Sequence, residues 1–189
     1  MEIREQLRGA FDATGRIVAG IRPDQLSEPT PCKEWDVKAV LDHTTTVLTR
    51  FRSTALRQPP PEAGPTPTGD AGDDFVGAYR AAADSTLAAW TRPGALEGNC
   101  RMPFGVEWPA TTAAGINITD TLVHGWDLAR ATGQDAAFDP VLAADVLEFC
   151  RATITDEIRA GRGAFGPIVP VADDASPTDR LVAFLGRQP

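Results

Sequence analysis

The sequence predicts an all-α protein: an up-down four-helix bundle with a long crossover, a short extended excursion near 96–108 and a C-terminal helix packed on it. Apolar residues recur at three- and four-residue steps through most of the chain. No apolar–polar alternation runs long enough for a sheet, and proline- and glycine-rich stretches divide the chain into helix-length pieces. The 189 residues fit a single domain, 1–189, with the tail 161–189 packed on the bundle. A chain of this size buries on the order of 70% of its unfolded surface, enough for a real core.

Ile3, Leu7, Phe11, Thr14, Val18 and Ile21 follow one helical face and predict a first helix over about 2–20. The loop SEPTPCKEW follows. Asp36 then has the character of an N-cap, with Trp35 before it placed to staple onto Val40. A second helix, about 37–57, carries Val37, Val40, Leu41, Thr44, Val47, Leu48 and Phe51 on one broad face. QPPPEAGPTPTGDAG (58–72) is a loop by composition. A third helix, about 73–91, carries Phe75, Tyr79, Ala82, Thr86, Leu87 and Trp90. LEGNCRMPFGVEWP has breakers and no helical period, so it reads as an extended excursion or short hairpin. Pro109 suits the first turn of a fourth helix, about 109–132, stopped by Gly133. Asp139-Pro140 caps a fifth, about 140–160, with Leu142, Val146, Phe149, Cys150 and Ile158 inward. After an irregular stretch, Ser176-Pro177-Thr178-Asp179 resembles a capping box. It opens a short last helix that buries Leu181, Val182, Phe184 and Leu185.

Hydrophobic residues at 42% and charged residues at 23% exclude disordered, collagenous and fibrous classes. A net charge of −8 argues against a nucleic-acid partner, which needs clustered Lys and Arg. MEIREQLRGA is charged where a signal peptide is apolar, and no stretch approaches the ~18 apolar residues of a membrane span. Cys32, Cys100 and Cys150 are scattered, without CxxC spacing, and read as reduced thiols of a cytoplasmic protein.

The two histidines, His43 and His124, both fall within predicted helices. On a helical wheel His43 borders the buried face of the second helix, pointing at a bundle seam. It is either a half-buried histidine with a hydrogen-bond partner or a ligand. The fourth helix is apolar over most of its circumference, yet Asn117, Asp120, His124 and Asp127 share a stripe within about 80°. Asp120 and His124, four residues apart, stack on one face and can reach one ion about 2.0–2.2 Å from each donor. The alternative is a solvated stripe, although Lys, Arg and Glu, the usual occupants of one, are missing. If the second and fourth helices face each other, His43, Asp120 and His124 make a two-histidine, one-carboxylate set. Three protein ligands leave a position open to water or a thiol, as in catalytic sites, and a group bound there has a lowered pKa. Asp127 either orients a ligand from behind or is an ordinary helix-face carboxylate.

TPCKEWDVKAVLDHTTT, RMPFGVEWPA, DTLVHGWDLARATGQ and FGPIVPVADDASPTDRLVAFLGR resemble the DinB-like, mycothiol-dependent maleylpyruvate isomerase-like metal-binding family of actinobacteria. The likeness covers nearly the whole chain, and VHGWDLARATG is its most specific part. It implies a four-helix bundle with one divalent ion, usually zinc, on His43, Asp120 and His124. It also implies a low-molecular-weight thiol, mycothiol or a relative, used for S-transfer to a small electrophile or for its isomerisation. A thiol on an open zinc site is bound as thiolate, the nucleophilic form.

Asp120 stands where the isomerase has Glu, and the chain ends after a short helix without that enzyme's sterol-carrier-like domain. The expectation is therefore a substrate other than maleylpyruvate. Competing readings are a non-catalytic DinB-fold metal-binding or stress-associated bundle, and a thiol-independent metal hydrolase. Mixed nitrogen and oxygen ligands suit zinc, nickel, iron or manganese. Arg101 and Arg130 are candidates to bind a carboxylate of the thiol or substrate, with plain surface placement as the alternative. Met102, Phe104 and Trp108 either wall a pocket or simply pack; Cys100 reads as structural and Glu107 as a candidate acid or base. A homodimer is compatible with the fold, although no apolar patch marks an interface.

Overall fold

The computed structural model describes residues 1–33, 35–59, 72–102, 105–162 and 165–189. Helix α1 (Ile3–Ala19) starts at Glu2, whose backbone N–H donates to the Glu5 side chain at 3.1 Å. Helix α2 (Val37–Ala55) starts at Asp36, whose carboxylate accepts the Ala39 N–H at 2.8 Å, the cap expected there. Helix α3 (Phe75–Thr91) uses Asp74 in the same way on Gly77, at 2.9 Å. Helix α4 (Ala110–Thr132) follows directly from a strand, so Pro109 is its N-cap and not part of its first turn. Gly133 ends it in the left-handed conformation, φ 70°.

Helix α1 packs against α3 and α4, and α2 packs against the same two, so α3 and α4 separate α1 from α2 around the bundle. Buried hydroxyls tie these seams together. Thr14 donates to the Thr121 carbonyl at 3.0 Å, Thr86 to Leu48 at 2.8 Å and Tyr79 to Phe11 at 3.1 Å. Each is a buried polar group with a backbone partner, so none carries the cost of an unmet hydrogen bond. Helix α4 is enclosed on nearly every side between Asn117 and Ala129, as its apolar circumference predicts.

The excursion is a short hairpin. Strands β1 (Asn99–Arg101) and β2 (Glu107–Pro109) run antiparallel, with Cys100 opposite Trp108 and Arg101 opposite Glu107. Cys100 and Met102 turn into the core. Phe104 and most of the 58–72 loop lie outside the described residues.

The fifth helix is shorter than the periodicity implies. Helix α5 (Pro140–Thr153), capped by Asp139, stops, and a separate helix α6 (Asp156–Arg162) begins. The break falls in Thr-Ile-Thr. Thr153 Oγ1 bonds back to the Phe149 carbonyl at 2.7 Å, Ile154 becomes extended (ψ 91°), and Thr155 Oγ1 accepts the Ile158 N–H at 3.3 Å. The Thr155 bond is an N-cap, which favours a new helix start at this point over continuation of the old one. Ile158, expected to point inward, is exposed as a result.

Helix α7 (Pro177–Phe184) opens at Ser176, whose hydroxyl accepts the Asp179 N–H at 3.1 Å. It packs on α5 and buries Leu181, Val182 and Leu185, while Phe184 is half-buried. One hydrophobic cluster runs from Leu7 to Leu185. No described helix is long and apolar enough to cross a membrane.

Candidate functional site

Helices α2 and α4 face each other, and the seam between them brings His43, Asp120 and His124 together. Asp120 Oδ1 lies 3.4 Å from His43 Nε2 and 3.8 Å from His124 Nε2, and the histidine ring centroids are 4.8 Å apart. Two donors ~2.1 Å from one ion at a tetrahedral angle stand ~3.4 Å apart, so these separations match a shared divalent ion. The second oxygen, Asp120 Oδ2, is buried with no hydrogen-bond partner among the described residues. Such an orphan acceptor is costly unless a cation or solvent meets it. The residues present therefore fit the metal that the sequence resemblance implies.

The stripe on α4 is not a wet face. Asn117 and Asp127 are fully buried and His124 is 7% exposed. Asn117 Oδ1 accepts the Trp90 indole N–H at 3.2 Å, which fixes the base of the stripe to α3. One helical turn beyond Asp120, His124 presents its other nitrogen, Nδ1, to Asp127 Oδ2 at 3.1 Å. If Nδ1 carries the proton it donates to Asp127, and the Nε2 lone pair is left facing Asp120 and His43.

Three residues that the sequence reading did not assign to the site complete the surroundings. Arg187 forks onto Asp127, with Nε to Oδ1 at 3.2 Å and Nη2 to Oδ2 at 3.0 Å. Trp35, read from the sequence as a hydrophobic staple, packs over the histidines, its ring centroid 4.6 Å from His43 and 5.9 Å from His124. Cys32 is half-buried, its Sγ within 4.8 Å of ligand atoms of His124 and Asp127. Trp35 and Cys32 sit in an aperiodic loop and Arg187 follows the last helix, so no periodicity links any of them to α4.

Burial pushes the Asp127 carboxyl up, but the hydrogen bonds from His124 and Arg187 and their charges prevail and hold it below the usual value. Asp120 behaves alike: burial raises it, while the hydrogen bond with His43 and the charges of His124, His43 and Arg187 lower it further. Both carboxylates are therefore ionised at neutral pH and available as acceptors or ligands. Burial raises the Cys32 thiol, and the nearby Asp127 charge adds to this.

Arg101 lies exposed on β1, and Arg130 is exposed with its guanidinium 5.5 Å over the Trp126 ring. Among the described residues neither forms a hydrogen bond or ion pair with the His43–Asp120–His124 cluster. Glu107 is exposed on β2, across from Arg101.

Fold and cluster together define a class: a helical bundle with a candidate divalent-metal site built from facing helices. The model of the mycothiol maleylpyruvate isomerase N-terminal domain family matches residues 7–129, and the chain belongs to this family. The matched span takes in His43, Asp120, His124 and Asp127 and leaves out Arg187. Two curated relatives from strains of Mycobacterium tuberculosis, Uncharacterized protein MT0763 and Uncharacterized protein Rv0738, are each 35% identical over 178 residues, spanning 94% of this chain and 93% of the relative. Crystal structures of the mycothiol-dependent maleylpyruvate isomerase share the fold. A histidine-to-alanine mutant superposes with a TM-score of 0.60 at 13% identity, covering 78% of this chain and 70% of that one. The other structure gives 0.57 at 14% identity over the same shares.

Proposed function

We propose that this protein is a metal-dependent enzyme that uses a low-molecular-weight thiol, mycothiol or a close relative, for S-transfer to, or isomerisation of, a small electrophile. The observation that carries this reading is the His43–Asp120–His124 cluster, with one buried carboxylate oxygen that has no partner among the described residues, in a chain of the mycothiol maleylpyruvate isomerase family. His43, Asp120 and His124 would hold a divalent ion, zinc or nickel by donor type, and a bound ion of this kind supplies an electrophilic position at which a thiol is held as thiolate.

The chain's own residues shape that position. Two neutral imidazoles and one carboxylate leave a single negative charge among three donors, a set that favours a dication without saturating it. Trp35 covers the histidines and keeps water from one side, which strengthens electrostatic interactions within the site. Asp127 orients His124 through Nδ1.

The test is loss of a small electrophile, monobromobimane or chlorodinitrobenzene, with and without mycothiol, in metal-loaded protein. A saturable rate that needs both metal and thiol, and falls at least about 100-fold in His124→Ala, is expected. Turnover without thiol would instead favour metal-assisted hydrolysis. No rate above the uncatalysed reaction would leave a bundle that holds metal without turnover.

A further inference from the structure

The candidate ligands lie on α2 and α4, yet the guanidinium that grips the carboxylate partner of His124 comes from beyond α7. We infer that Arg187 is a positioning residue of the metal centre, locking Asp127 and through it the ring of His124. This rests on the metal reading above and adds to it the region past residue 129, where the family match ends.

Asp127 has no exposed surface and both its oxygens are engaged. Oδ1 accepts from Arg187 Nε, and Oδ2 accepts from Arg187 Nη2 while facing His124 Nδ1. A carboxylate gripped by a planar fork has one orientation, which a single hydrogen bond would not impose. The ring of His124 is thus held with Nε2 toward Asp120 and His43. Arg187 is itself fixed, 9% exposed, with Nη1 donating to the Leu185 carbonyl at 3.3 Å.

The backbone is shaped to deliver this arginine. The Gly186 N–H bonds to the Ala183 carbonyl at 3.0 Å and the Arg187 N–H to Val182 at 2.9 Å, the paired bonds of a Schellman ending. Gly186 adopts φ 87°, and a Cβ there would lie 2.6 Å from the Gly166 backbone. Only glycine meets both conditions, and the turn it makes aims the next side chain back at α4.

The experiment is titration of metal-free protein with Co(II) alone, read by the visible absorption of the bound ion and by chelator competition. It compares wild type, His124→Ala, Arg187→Lys, Arg187→Gln and the charge-neutral double variant Arg187→Gln with Asp127→Asn, each checked for helical circular dichroism. Expected are abolished binding in His124→Ala and affinity lowered by about 10- to 100-fold in Arg187→Gln and in the double variant, with an altered cobalt spectrum. Arg187→Lys, which keeps the charge without the fork, should fall between. The double variant leaves no unpaired buried charge and serves where Arg187→Gln does not fold. Wild-type affinity and spectrum in whichever glutamine variant folds would overturn the inference. Wild-type protein that takes up no cobalt would instead sink the metal reading on which it rests.

Discussion

At the scale of single residues, Asp127 decides most. A fully buried carboxylate is tolerable only while Arg187 and His124 satisfy it, and removing one partner of a buried pair costs about 3–5 kcal/mol. Arg187→Ala is therefore expected to lower stability by about that amount in urea titrations, against no more than about 0.5 kcal/mol for an exposed arginine such as Arg101. The same residue sets acid behaviour. Its folded pKa is depressed, so it stabilises the fold above its unfolded value of about 3.9, and this is lost as pH falls through the lower folded value. Melts from about pH 6 to about pH 2 should show stability dropping below about pH 4. Asp127→Asn should flatten that drop in part, since Asp120 is depressed too; an unchanged slope would count against the assignment. Thiol reactivity is a second observable at this scale. Burial raises all three thiols, Cys150 to about 11, but only Cys32 is half-buried while Cys100 and Cys150 are enclosed. Iodoacetamide should label Cys32 first, with a rate still rising above the ordinary thiol pKa of about 8.5, and peptide mapping that finds the three labelled equally would contradict it.

At the scale of helices, α4 shows how packing overrides propensity. Gly125 sits mid-helix, where alanine is ordinarily better by about 1 kcal/mol. Here a Cβ would meet Thr14 Oγ1 at 2.4 Å, and that hydroxyl is the one bonded to the Thr121 carbonyl. Gly125→Ala must push α1 off α4 or break the bond, at about 1–3 kcal/mol of overpacking, so a net loss is expected in chemical denaturation. Pairing it with Thr14→Ala should recover part of the loss; purely additive losses would show that the clash is not the cause. The same contrast explains what the sequence discloses. Apolar periodicity and capping side chains are local, so α1 to α4, the Asp36 and Ser176 caps and the Gly133 stop are legible to within a residue or two. Asp120 and His124 are legible because i and i+4 share a face, and His43 because it borders the buried face of α2, on the seam with α4. The break at Thr153–Thr155 is not, because apolar spacing continues through it while Ile154 turns extended and Thr155 caps a new helix. Arg187 lies 60 residues from Asp127, and nothing in helical spacing links residues so far apart.

At the scale of the whole molecule, a ligand that binds only the folded state stabilises it in proportion to its free concentration over its dissociation constant. A divalent ion at about 100 times its dissociation constant adds about 2.7 kcal/mol. For a domain of this length, each kcal/mol raises the melting temperature by about 2–4 °C. Zinc or nickel added to chelator-treated protein should therefore raise the melting temperature by about 5–10 °C. The chain's net charge of −8 supplies a competing source of such a shift, since a strongly acidic surface attracts any dication. The two sources separate by salt and by chemistry. Surface attraction is screened beyond about 10 Å at 0.1 M salt and treats magnesium like zinc. A nitrogen–oxygen site in the α2–α4 seam should keep its shift in salt, prefer zinc or nickel over magnesium, and lose it in His43→Ala and His124→Ala. A shift that disappears in salt, or survives both histidine substitutions, would assign the effect to surface charge and remove the main support for a metal centre between these helices.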